Sequence, residues 1–143
     1  MMTDREKFEG FKRQLIEENE RKYGREARAK YGDEAVDRSN ERFMNLTPEQ
    51  YEELTRLEKA VKETLEAAFE IGDPSGDLAQ QAADLHRQWL TFFWPEYNPE
   101  AHANLAQMYV DDERFKVHYE KRAGMTEFFR DAIRIYASRQ PRP

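Results

Sequence analysis

The sequence predicts an all-α domain of about five to seven helices, on three observations. Apolar residues recur three and four positions apart, and no stretch alternates in twos as a strand would. The glycines and prolines fall mostly at the breaks between these periodic stretches. Aromatic residues make up 13% of a chain whose mean hydropathy is −1.05, so a polar sequence still carries the bulky side chains of a packed core. At 143 residues the chain has the size of one domain.

The elements follow in order. Phe8, Phe11, Leu15 and Tyr23 share a face, which predicts a helix from Asp4 to Tyr23 that stops at Gly24. A shorter helix is expected from Asp33 to Phe43, after Gly32. Thr47-Pro48-Glu49-Gln50 is a start signal: Thr47 caps, Pro48 suits the first helical position and Gln50 reaches back. The stripe Tyr51, Leu54, Val61, Leu65, Ala68 and Phe69 follows and ends at Gly72, before the turn Asp73-Pro74-Ser75-Gly76. Leu78, Ala82, Leu85, Trp89 and Phe92 mark a fourth helix, stopped by Pro95. Asn98-Pro99 opens a fifth, with His102, Leu105, Ala106 and Tyr109 on one face. Asp111 or Asp112 caps a short sixth, with Phe115 and Tyr119 inward. After Gly124, Met125, Phe128, Ala132 and Tyr136 line the last. Residues 140–143 are a tail.

The two halves differ. Residues 89–136 hold 11 of the 18 aromatics and both tryptophans, whereas the first half is rich in charge. Long charged helices with thin apolar stripes are marginal until they dock. Residues 1–45 are therefore expected to be a mobile N-terminal segment and residues 46–139 a helical ligand-binding core, within a single domain.

Charge and composition exclude several function classes. A net charge of −6 and a pI of about 5.2 leave no basic footprint for phosphates or anionic lipid. No apolar run approaches the ~18 residues of a membrane span. The N-terminus lacks the apolar stretch of a signal peptide, and the expected location is the cytoplasm. Cysteine is absent, which removes disulfides, thiolate metal sites and thiol nucleophiles.

Three constellations could carry chemistry. His86, His102 and His118 lie on different predicted helices with no short histidine pair, so they read as polar lining rather than as a metal or haem site. Asp111-Asp112-Glu113-Arg114 reads as a helix cap with first-turn acids, Arg114 pairing with one of them, rather than as an acid–base pair. Trp89, Phe92, Phe93, Trp94 and Tyr97 are too dense to point inward from one helix face, so some are expected to wall a pocket. Neither a phosphate-cradling glycine loop nor a serine elbow is present, and no enzymatic activity is expected.

Three stretches are similar to the TipAS antibiotic-recognition domain family: Ala82-Ala83-Asp84-Leu85-His86-Arg87-Gln88-Trp89, Ala106-Gln107-Met108-Tyr109-Val110-Asp111-Asp112-Glu113-Arg114-Phe115, and Phe129-Arg130-Asp131-Ala132-Ile133. Leu46-Thr47-Pro48-Glu49 and Gly72-Asp73-Pro74 fit as well, and the resemblance spans about Phe8 to Ala137. It implies a compact globin-like bundle that forms the effector half of a MerR-like transcriptional activator, with a cleft for bulky antibiotics. It also implies an N-terminal part that is flexible without ligand, and forms produced alone that sequester the drug. The family's founding member captures thiopeptides through a cysteine in a His-x-Cys-Leu segment. Here that segment is His102-Ala103-Asn104-Leu105, so Asn104 stands at the cysteine position and binding is expected to be reversible.

The expected ligand site is a cleft walled by Trp89, Phe93, Trp94, Tyr97, Leu105, Met108, Tyr109, Phe115 and Tyr119, with His86, His102, Asn104 and His118 offering directional hydrogen bonds. The expected partner is a bulky antibiotic or drug-like molecule. No cofactor, metal, membrane or direct nucleic-acid contact is called for, and this chain carries no winged-helix half. A longer regulator would be a homodimer. Two other classes remain open to the sequence: a haem- or metal-binding globin-like protein, and a helical dimerisation module.

Overall fold

The computed structural model describes residues 1–141; residues 142 and 143 of the expected tail lie outside it. The described residues hold seven helices of at least seven residues, one short helical turn and no strand. The contacts divide the chain into two units, Met1–Glu53 with Phe92–Trp94, and Leu54–Thr91 with the described residues from Pro95 onward.

The first unit begins with α1 (Asp4–Asn19), whose Thr3 cap accepts from the Glu6 amide at 3.1 Å. The expected stop at Gly24 is corrected. A π turn (Glu20–Gly24) leads without a break into α2 (Arg25–Tyr31), and Gly24 itself is helical, with φ −56° and ψ −44°. The chain turns instead at Gly32, where φ is +89°. Gly24 serves the packing: a Cβ there would lie 2.2 Å from Glu20 Oε2. The space it leaves admits the Glu20 carboxylate, which accepts from Arg28 at 2.6 Å and Asn40 at 3.1 Å. Arg28 also reaches Asp33 and Asp37, so one guanidinium joins the π turn, α2 and α3 (Asp33–Met44).

Lys12 on α1 is fully buried. Its Nζ donates to the carbonyls of Met44 and Leu46 at 2.5 and 2.7 Å, pairs with Glu9 at 3.1 Å and lies 4.4 Å from the centre of the Phe8 ring. Every proton of the ammonium thus has an acceptor or a ring face, as a buried charge requires. Around it Phe8, Phe11 and Phe43 meet Tyr51 edge-on, and Phe43 stacks on Phe93 at 6.3 Å.

Helix α4 (Pro48–Ile71) starts as the sequence predicts: the Gln50 amide donates to Thr47 Oγ1 at 3.1 Å, and the Thr47 amide to Gln50 Oε1 at 2.8 Å. It ends at Gly72, with φ +82°.

In the second unit α5 (Asp77–Leu90) stops short of Pro95, and Phe92 lies beyond it, contrary to the expected helix. Thr91 ends the helix by itself. Its hydroxyl donates to Gln88 O at 2.6 Å and its amide to Arg87 O and Gln88 O. Asn98 caps α6 (Pro99–Asp111), and Asp112 caps the short α7 (Glu113–Lys116). Asp112 also accepts from the Arg114 guanidinium at 2.7 Å, so this acid is structural. Gly124, at φ +90°, opens α8 (Met125–Ser138). The core of the unit joins Val61 and Leu65 of α4, Ala82 and Ala83 of α5, Ala106 of α6, and Met125, Phe129, Ile133 and Tyr136 of α8. Alanines at 0–1% exposure let α5 and α6 approach α8 closely, which leaves the large side chains of α8 to fill the space between.

Candidate functional site

Where α5 and α6 face each other, the second unit encloses a polar cluster. His86 and His102 are at most 1% exposed. Their rings stack at 5.0 Å, and His86 Nδ1 lies 2.8 Å from His102 Nε2. The remaining nitrogens are also engaged: His86 Nε2 with the Tyr109 hydroxyl at 3.1 Å, and His102 Nδ1 with the Tyr97 hydroxyl at 2.7 Å. The spacing on α6 explains part of this, since His102 and Tyr109 lie seven residues apart and so share a face. Tyr97, in the loop before α6, folds back onto His102.

Both imidazoles are neutral. Burial pushes His86 well below the ordinary histidine value, and His102 beside it adds to the effect. Burial pushes His102 down to about 3, helped by the Arg87 guanidinium. Burial also raises the phenols, Tyr119 to about 12 and Tyr97 further.

Aromatic rings surround the pair. Trp89 stacks on His86 at 5.5 Å, while Tyr109, Tyr119 and Phe129 meet it edge-on. The Trp89 indole donates to Glu58 at 3.0 Å. Phe115 stacks on Tyr109, and Tyr119 rests on both Tyr109 and Phe129. Beside the pair, Tyr136 donates to Asp84 at 2.6 Å and accepts from Arg87 at 2.7 Å. Burial alone would raise the Asp84 carboxyl, but the bonds from Tyr136, Gln88 and Arg87 outweigh it and hold the group ionised.

Of the expected site residues, the structure brings His86, Trp89, Tyr97, His102, Tyr109, Phe115 and Tyr119 into one cluster. Leu105 and Met108 are half-buried on the same helix as His102. Asn104 and His118 are exposed. Phe93 and Trp94 belong to the other unit, where Phe93 stacks on Phe43. Sequence reasoning missed Asp84, Arg87 and Tyr136. The signal for the first two was their spacing on α5, three residues apart and so on one face as an ion pair requires; Tyr136 read as an ordinary core position.

Among the described residues, no group of three or more histidines, aspartates and glutamates is placed to hold a metal ion. Two of the three histidines spend their nitrogens on each other and on tyrosines. A shallow depression on α4 is lined by Glu63, Glu66, Ala67 and Glu70 and so lacks aromatic walls. No helix is long and apolar enough to cross a membrane among the described residues.

The family model of the TipAS antibiotic-recognition domain matches residues 23–136. The chain belongs to this family. Searches of curated proteins and of solved structures return no match. A TipAS domain is a ligand-binding recognition domain rather than a member of a known enzyme family. The match covers every residue of the aromatic and imidazole cluster, from Asp84 to Tyr136, together with α2, α3 and α4.

Proposed function

We propose that this TipAS domain binds a bulky, largely apolar antibiotic reversibly, against the aromatic cluster around His86 and His102. The observation that carries the reading is the antibiotic-recognition family match over residues 23–136. The composition of the cluster supports it. Trp89, Tyr97, Phe115 and Tyr119 are only partly buried, so their rings offer apolar area together with hydroxyl and indole groups that orient a ligand. Leu105 and Met108 add adaptable apolar surface beside them. Capture through a thiol is impossible in a chain without cysteine, and Asn104 stands in the segment where the family's founding member carries one.

The wider role follows from the resemblance. The domain acts in the cytoplasm as the effector half of a homodimeric MerR-like activator, or as a separate form that sequesters the drug. In a regulator, binding shifts the balance between two arrangements of the attached DNA-binding half. The N-terminal segment orders when ligand binds.

Tryptophan fluorescence tests the binding claim. Titration with a panel of thiopeptide and other bulky antibiotics is expected to give a saturable change for at least one, with Trp89 as the reporter, and the change should shrink in Trp89→Phe. A flat response to every compound up to its solubility overturns the proposal.

A further inference from the structure

The protons on the two imidazoles are not independent, because each ring nitrogen is held inside the cluster. The 2.8 Å contact between His86 Nδ1 and His102 Nε2 accommodates one hydrogen. If it belongs to His102 Nε2, then Nδ1 of that neutral ring is bare and accepts from the Tyr97 hydroxyl. His86 Nδ1 is then the acceptor, so the His86 proton sits on Nε2 and goes to the Tyr109 oxygen. If instead it belongs to His86 Nδ1, every donor reverses. Tyr109 then donates to His86, and His102 donates from Nδ1 to Tyr97. Mixed tautomers place two hydrogens or none between nitrogens 2.8 Å apart, so the rings share one tautomer. The Tyr109 and Tyr119 hydroxyls are also hydrogen-bonded, which extends the row to five side chains.

The charges at its ends choose the direction. Arg87 lies 5.9 Å from the centre of the Tyr97 ring and acts on His102. Asp84 beside it is occupied by Arg87, Gln88 and Tyr136. At the far end stands Glu58, which acts on Tyr119 and accepts from Trp89. A row of O–H and N–H dipoles between a cation and a carboxylate is most stable with its protons pointing toward the carboxylate.

We propose that Tyr97, His102, His86, Tyr109 and Tyr119 form a directional hydrogen-bond relay that makes the Tyr97 oxygen an acceptor for an N–H donor of the ligand, such as a peptide amide. In this direction both histidines carry their proton on Nε2, and the Tyr97 hydrogen is committed inward. His86 and His102 then act as positioning residues, not ligand contacts. The ligand clause rests on the drug-binding reading; the relay itself does not.

The relay is tested on ligand-free protein by long-range 15N NMR of the imidazoles. Both rings are expected to be neutral and protonated on Nε2. Tyr97→Phe leaves them so. Tyr109→Phe removes the acceptor of the His86 Nε2–H, and a buried orphan N–H is avoided only by moving the proton to Nδ1. Both rings should therefore switch to the Nδ1–H tautomer, including His102, which bonds to His86 and Tyr97. Unlike tautomers in the wild type, or a switch confined to His86 in the variant, overturns the relay. The wild-type spectrum decides this even if a variant folds poorly. For the ligand clause the probe is a thiopeptide. Tyr97→Phe should bind it about tenfold more weakly, as loss of one well-formed hydrogen bond implies. Equal affinity, or no binding of the thiopeptide by either protein, overturns the role given to Tyr97; the drug-binding reading falls only with the whole antibiotic panel, and the relay is decided by the tautomer result.

Discussion

His86 and His102 carry the sharpest residue-level consequence. Their folded pKa values lie below the ordinary 6.5, so in the unfolded chain they take up protons that the folded chain refuses. The stability they contribute is fully present above pH 6.5 and is lost as pH falls from there toward the folded value, about 3 for His102. Two such protons give a slope of up to about 3 kcal/mol per pH unit. Urea unfolding at pH 7.5, 6.5 and 5.5 should show a flat upper interval and a steep lower one, above the range where carboxylates titrate. Equal midpoints at 7.5 and 5.5 would mean that the imidazoles are not buried as a neutral pair. Sequence reading placed both histidines in the site but assigned them to ligand hydrogen bonds. Spacing along a helix shows which face a ring occupies; it does not show that two rings on different helices meet. Tyr97 was legible as part of an aromatic run, whereas its bond to His102 depends on how the loop before α6 folds back.

Two elements invite measurement. Helix α1 is anchored by Lys12, whose ammonium satisfies the carbonyls of Met44 and Leu46. Lys12→Met keeps the apolar stem and strands both carbonyls, so it should cost about 2 kcal/mol and speed amide exchange over residues 8–46. An unchanged urea midpoint would show that water or backbone rearrangement replaces the contact. At the π turn, Gly24→Ala should destabilise the wild type, because the new Cβ takes the space of the Glu20 carboxylate. In a Glu20→Ala background the same change should stabilise by about 1 kcal/mol, the usual helix preference of alanine over glycine. A change of the same sign in both backgrounds would refute the steric account. The sequence misled at this point for a physical reason. Glycine after a periodic stretch normally ends a helix, yet here its lack of a side chain serves an ion pair four residues back. Helix α2 went unseen because four of its seven residues are charged and Gly24 before it reads as a stop. The capping box at Thr47 and the caps at Asn98 and Asp112, by contrast, depend on local chemistry alone and were readable directly.

At the scale of the molecule, the contacts fall into two units that do not follow the sequence asymmetry: the first is the richer in charge, but Phe92–Trp94 pack with it, so each unit holds nine of the 18 aromatics. The all-α class was legible from periodicity, and the family from three short stretches. The meeting of α5 and α6 that creates the imidazole pair was not, since it is set by the alanines that admit close packing against α8. Residues 4–45 are expected to exchange their amides faster than residues 77–136 in the free protein and to slow when an antibiotic is added. Uniformly slow exchange over residues 8–43 without ligand would rule out a mobile N-terminal segment. The central claim, reversible binding of a bulky antibiotic by this chain alone, is tested most directly by mass spectrometry under native and then denaturing conditions. The account predicts a complex of one chain with one antibiotic molecule that disappears on denaturation and leaves the unmodified chain mass. No complex with any antibiotic of the panel, or an adduct that survives denaturation, would contradict it.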